Sequence, residues 1–362
     1  MRIVNLKYQI RKLLMLEALW SFRLGGSLWV MFLGLRGFSL AEIGLAEGFF
    51  HLVSILGELP SGLAADLLGR KRVLAASQGL FGLSAVIMLF SKGFWGVLLS
   101  MGLNALGYNL ASGTREALTY DSLLQMGREG EYLPLAARQN MVYRGGDVLV
   151  TLLAGVALAL GWQICYVLDG AFSLAGLMVA ANLTEPEIQS GEDNASRSFL
   201  AYACSTIQFL RLDRKAVGLM LFNAFVGAAA ILTGFYLQDA LPKAGTPAAL
   251  LGPLLLLKGI GGILGSRLAP CLGRWSRPLG WGLPVAAVAA GAGLAFGDGY
   301  FLMALGGFLA GMGDDALELQ VEEELNRRFP SSQRATLISV SSLCFSLTMV
   351  ILSPLGGFLV AS

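Results

Sequence analysis

No feature of this chain constrains its fold more than the recurrence of apolar stretches long enough to cross a bilayer. About 20 predominantly apolar residues span the hydrocarbon core as a helix. Eleven such stretches occur, over approximately 13–35, 40–64, 73–91, 94–117, 135–160, 162–182, 216–238, 248–268, 279–296, 300–323 and 335–360. Composition agrees: 55% of the residues are hydrophobic and only 14% charged, against roughly 25% charged in soluble domains. The expected fold class is therefore an all-α membrane protein. The 47 glycines lie scattered through the apolar runs, where membrane helices tolerate them, so they do not signal disorder. The net charge of +2 lacks the clustered basic excess that phosphate backbones require, which excludes nucleic acid as a partner.

The four cysteines, Cys165, Cys204, Cys271 and Cys344, stand too far apart in sequence for a zinc motif and read as packing residues. With one histidine, His51, multi-histidine metal chemistry is excluded and a Ser-His-Asp triad is disfavoured. No metal, cofactor or catalytic cluster is expected, and GxxxxGK[ST], the nucleotide-binding loop of an ATP-driven pump, is absent. The basic start, MRIVNLKYQIRK, precedes a run of full span length with no small-residue cleavage site, so the first helix is expected to be retained.

Basic residues resist translocation, so their distribution orients the spans. Alternate connections hold nineteen Lys and Arg on one side, beginning with Arg2, Lys7, Arg11 and Lys12, against Arg36, Lys92 and Lys243 on the other. The N-terminus is thus expected in the cytoplasm of a multi-pass protein of the cell membrane. The long polar stretch 184–215 separates six spans (1–183) from five (216–362) and reads as a cytoplasmic linker. GLAADLLGRKR, from Gly62 to Arg72, has a weak echo in GSRLAPCLGRW, from Gly265 to Trp275. That is the internal symmetry of two like-oriented bundles.

The segment Gly62-Leu63-Ala64-Ala65-Asp66-Leu67-Leu68-Gly69-Arg70-Lys71-Arg72, following the second span, resembles the signature Gly-x-Leu-x-Asp-x-x-Gly-Arg-(Lys/Arg) of the major facilitator superfamily (MFS). Together with Glu58-Leu59-Pro60-Ser61-Gly62, Ala117–Leu123 and Pro330–Thr336, it is similar to a bacterial branch of drug-efflux-like or uncharacterised facilitators. The resemblance implies two pseudo-symmetric helix bundles and transport by alternating access. It also implies a conformational latch: Asp66 faces the start of the eleventh span near Ser331–Thr336, and Arg70 pairs with Asp121 or, second, Glu116. Independently of the family, Gly62 and Gly69 suit a tight turn, and Arg70, Lys71 and Arg72 hold the loop on the cytoplasmic side. The second-half copy has Ala269 and Pro270 where the first has its acid, so the latch is expected on one side only.

Ionisable residues inside spans cost about 2.5 to 3.5 kcal/mol at mid-helix and so mark pathways or paired structural roles. Arg23, Arg144, Asp147 and Lys258 lie roughly 14 to 18 Å into their spans, near the midplane. Arg144 and Asp147, three apart, share a helical face and can neutralise each other. Arg23 and Lys258 lack a partner on their own helices and suit interhelical pairing or substrate contact. Asp314 and Asp315 are adjacent carboxylates that resist simultaneous ionisation in a low-dielectric site, which suits proton exchange; a plain helix end emerging into water is the competing reading. Asp169 is placed toward the outer side, and Glu17, Arg115 and Glu116 near the inner interface.

The expected function is therefore a monomeric secondary transporter moving a small molecule, by proton-coupled efflux in the leading reading. An uptake symporter or uniporter for an anionic nutrient is the alternative within transport, and a non-transporting membrane sensor the alternative outside it. Facilitators of the resembled family carry twelve spans. The eleven counted here lead to the expectation of a missing twelfth, through truncation or a natural eleven-span form.

Overall fold

The computed structural model describes residues 6–186, 214–328 and 334–361, and every regular element among them is helical. The first expected span is interrupted, forming α1 (Leu6–Ser21), α2 (Leu24–Ser27) and α3 (Trp29–Leu35). Then come α4 (Leu40–Leu68), α5 (Arg70–Phe90), α6 (Phe94–Ala111), α7 (Thr114–Leu124), α8 (Tyr132–Leu152), α9 (Ala154–Leu160) and α10 (Trp162–Ala181). After the linker follow α11 (Arg214–Lys243), α12 (Ala248–Leu272), α13 (Arg277–Ala295), α14 (Tyr300–Arg328) and α15 (Arg334–Ala361). Residues 187–213, most of the polar linker, lie outside the described residues.

Seven helices among the described residues are individually long and apolar enough to cross a membrane, or eight if one bent pair counts as a span. The difference from eleven stretches has local causes. The first run breaks at Phe22-Arg23, and the fourth breaks at Gly113, whose φ of +71° favours glycine. The fifth bends by 58° between α8 and α9. The tenth is diluted by acids from Asp314 onward. Pro60 sits inside α4, which continues to Leu68.

The chain divides into two compact units. The first comprises Met1–Trp29 and Phe49–Glu192, the second Val30–Gly48 and Asp193–Ser362. The end of the first span and the start of the second thus group with the second half of the chain.

The first unit is knitted by small and polar residues, as membrane interiors require when lipid supplies no hydrophobic drive for helix association. Ser84 and Ser100 each donate to the other's carbonyl at 2.9 Å, tying α5 to α6. Asn109 donates to the carbonyl of Ser54 at 2.7 Å, tying α6 to α4. Gly176 of α10 lies against Gln78 of α5, and Gly146 of α8 against Ser21 of α1. Leu13, Leu16, Trp20, Leu74, Phe81 and Leu118 form its core.

The second unit is built on closer backbone approach. Gly261 and Gly265, one helical turn apart on α12, lie against the carbonyls of Phe308 and Met312 on α14. Gly311 of α14 returns the contact on the carbonyl of Lys258. Such spacing lets helices meet without intervening side chains. In the Val30–Gly48 segment, Gly34 abuts Asp239 of α11 and Gly44 abuts the carbonyl of Ser353 of α15.

Candidate functional site

The signature loop is organised by its charges. Gly69, with a φ of +89°, turns the chain from α4 into α5, a conformation only glycine adopts without strain. The first turn of α5 has free backbone N–H groups, and Glu185 accepts from those of Arg70 and Lys71 at 2.7 Å each. Arg70 also donates to the carbonyl of Ala117 at 2.9 Å and forms an ion pair with Asp121. The loop is thereby clamped to α7 and to the segment that follows α10. Glu116 is instead bound by Arg115, at 2.8 Å. At Gly62 an added Cβ would meet no described atom within 4 Å, so packing does not demand that glycine. The side chain of Asp66 and residues 329–333 lie outside the described residues, as does the expected partner surface at Ser331–Thr336 for the side chains through Thr336.

Arg23 stands at the break between α1 and α2, in a non-helical conformation. Its guanidinium donates to Asn104 at 3.0 Å and lies 4.5 Å from the centre of the Phe81 ring. Asp169, only 2% exposed, reaches over from α10 and accepts the backbone N–H groups of Gly25 at 3.2 Å and Gly26 at 2.8 Å. A carboxylate from another helix thus caps the interruption, and lies close enough to Arg23 to interact electrostatically. Sequence placed Asp169 toward the outer side with no such role; the adjacent Gly25-Gly26 pair was the available signal of a break.

Below this break lies a cleft of about 430 Å³ in the first unit, lined by Glu17, Trp20, Tyr108, Ser112, Arg115, Glu116, Tyr132, Gln139, Asn140 and Tyr143 among others. Glu17 is 3% exposed, and its Oε1 accepts from Arg115 at 3.0 Å. The Arg115 guanidinium also stacks 4.6 Å from the centre of the Trp20 ring. Buried Glu17 Oε2, Trp20 Nε1 and Arg23 Nε have no hydrogen-bond partner among the described residues. An unpartnered buried polar atom is costly, so the two that belong to lining residues, Glu17 Oε2 and Trp20 Nε1, point to a ligand. From sequence Glu17 and Arg115 read as charges near the inner interface; that they converge on each other was not legible. Arg144 is exposed and Asp147 half-buried on α8, outside this lining.

In the second unit, Lys258 of α12 lies beside Gly234 of α11 and Gly307 of α14. Asp314 and Asp315 diverge, as the 100° step between helical neighbours requires. Asp314 abuts Gly227 of α11 and is close enough to Lys258 to interact with it, whereas Asp315 abuts Gly262 and accepts from Ser266 at 3.5 Å. Three of the six intramembrane charges singled out from sequence therefore cluster here.

Known proteins match this architecture. The chain is 33% identical over 75 residues to the inner membrane transport protein YajR of Escherichia coli, a match covering 21% of this chain and spanning 16% of that protein's length. Among solved structures, the nucleoside transporter NupG aligns with a TM-score of 0.75 at 16% identity, covering 99% of this chain and 91% of NupG. A bacterial homologue of the human lysosomal transporter Spinster, in an inward-facing unoccupied conformation, aligns at 0.75 with 17% identity over 96% of this chain and 81% of its own. The D-xylose-proton symporter aligns at 0.65 with 14% identity, covering 98% and 90%. At such identities these structures establish the fold, while the family model for the Major Facilitator Superfamily matches residues 18–314. The chain belongs to the Major Facilitator Superfamily, as a multi-pass membrane transporter.

Proposed function

We propose that this transporter is proton-coupled and exports a small molecule, with Asp314 as the proton-exchanging carboxylate. The observation that carries the coupling is the placement of Asp314 inside the second unit, facing α11 and within electrostatic reach of Lys258 from α12. A carboxylate held in such a site alternates between pairing with the lysine and carrying a proton, at little cost in exposed charge. The Arg70–Asp121 pair supports a cytoplasmic latch role for the signature loop, with Gly69, Lys71 and Asp66 as its other members. Export is the reading in keeping with the efflux-like character of the signature segments.

Flux into proteoliposomes under an imposed pH gradient tests this directly. An acid interior should drive solute accumulation, an ionophore that collapses the gradient should abolish it, and Asp314→Asn should lose gradient-driven flux while keeping solute exchange. Accumulation driven only by an acid exterior would instead establish the uptake symporter, and gradient-independent flux would remove proton coupling.

A further inference from the structure

We propose that a cavity in the second unit binds a small neutral arene bearing one hydrogen-bonding substituent, a phenol in its simplest form, with the Ser353 hydroxyl as its polar contact. The cavity lies between the first turns of α4, the middle of α11, the end of α13 and the second half of α15. It holds none of the charged groups described above, so the inference is independent of the coupling and direction of transport. Backbone packing sets its walls: Gly44 of α4 abuts the carbonyl of Ser353, and Gly357 of α15 abuts the carbonyl of Leu40.

Size, charge and polarity each narrow the ligand. The cavity measures about 190 Å³, and an apolar cavity of roughly 150 Å³ holds one benzene. One six-membered ring with a small substituent therefore fits. The lining contains no Asp, Glu, Lys, Arg or His, so a charged ligand would be desolvated without a counter-charge and a neutral one is selected. Tyr236 and Phe296 lie 4.5 Å apart between ring centres, tilted by 38°, an arrangement that a third ring extends. The polar contact is equally defined. Thr233 in the lining donates its hydroxyl to the carbonyl of Ala229 at 2.8 Å, and Thr348, on α15 itself, donates to that of Cys344 at 2.8 Å. Such bonds to the preceding turn satisfy a buried hydroxyl within its own helix. Ser353 makes none: it is 1% exposed, and its Oγ has no hydrogen-bond partner among the described residues. A buried hydroxyl without a partner is costly, and a phenol lodged in the cavity removes that cost, as a lipid acyl chain does not.

The test uses 4-fluorophenol, fluorobenzene and 4-fluorobenzoate, titrated into the full chain in phosphatidylcholine nanodiscs and followed by fluorine NMR. Empty nanodiscs give the reference for partition into lipid. 4-Fluorophenol, uncharged at neutral pH because phenols titrate near about pH 10, should bind saturably, and 4-fluorobenzoate should not displace it. Ser353→Ala should weaken 4-fluorophenol about fivefold and leave fluorobenzene unchanged, as loss of one neutral hydrogen bond does. That variant removes only an unpartnered hydroxyl, so it keeps the fold. Ala292→Phe, which places a ring in the cavity, should abolish binding of both. With the native cysteines replaced, bound 4-fluorophenol should also slow maleimide modification of Thr233→Cys, which fixes the location if Ala292→Phe does not fold. Signals no different from empty nanodiscs overturn the inference and leave the cavity to lipid. Equal losses of both ligands in Ser353→Ala, no loss of either, or saturable binding that survives Ala292→Phe overturn it as well.

Discussion

At Arg70 one residue serves three groups, the Asp121 carboxylate and the Ala117 carbonyl through its side chain and Glu185 through its backbone N–H. Removing one member leaves charge without its partner, so Asp121→Asn should lower stability by about 1 to 3 kcal/mol. Thermal unfolding in detergent measures this, and a double-mutant cycle with Arg70→Gln should return a coupling energy clearly different from zero. Additive effects would mean the contact contributes nothing. The signature motif named Asp121 as the partner of Arg70 through family resemblance. Nothing comparable named Glu17 as the partner of Arg115, ninety-eight positions away. Sequence position gives the depth of a charge along its helix but not the neighbour it faces.

At the scale of elements, α12 and α14 meet at Gly261 and Gly265, whose missing side chains admit the carbonyls of Phe308 and Met312. Gly261→Leu forces the two helices apart and should destabilise by about 1 to 3 kcal/mol or more, as overpacking does. Unchanged unfolding and unchanged Lys258 and Asp314 phenotypes would contradict that packing. The interruption after α1 makes a second case. Asp169→Ala uncaps the N–H groups of Gly25 and Gly26 and should cost about 1 to 2 kcal/mol, seen as faster amide hydrogen exchange confined to residues near the break. The apolar length of the first run was plain in the sequence, but its break was not. Arg23 and two glycines hint at one, yet the residue that stabilises it lies on α10. Helix propensity is a local property, and this cap is a contact of long sequence separation.

For the whole molecule, the basic residues predict which ends of the spans face the cytoplasm. With the native cysteines replaced, a membrane-impermeant maleimide should label Lys92→Cys in intact cells and Arg72→Cys only after permeabilisation. Both positions are exposed, so the reverse pattern would overturn the orientation. The grouping of Val30–Gly48 with the second unit carries a further expectation. Gly44 has no room for a side chain against the Ser353 carbonyl, and Gly44→Val should unseat the segment. The modification rate of a cysteine at Thr233, only 6% exposed, should then rise several-fold, on the order of tenfold for about 1.4 kcal/mol of shifted population. No change in rate would show that the segment does not cover that face.

The sequence by itself determined that this chain crosses a membrane as helices, carries a facilitator signature and places its basic residues predominantly in one set of connections. These properties follow from apolar length and charge, which accumulate residue by residue along one dimension. Tertiary structure alone decided that Glu17 meets Arg115, that Asp169 caps the broken first span, that Asp314 faces Gly227 of α11 within electrostatic reach of Lys258, and that Val30–Gly48 joins the second unit. Each depends on the rotation of a helix about its axis and on how closely its neighbour approaches. Both are set by small-residue contacts between distant segments, a relation that no single helix encodes.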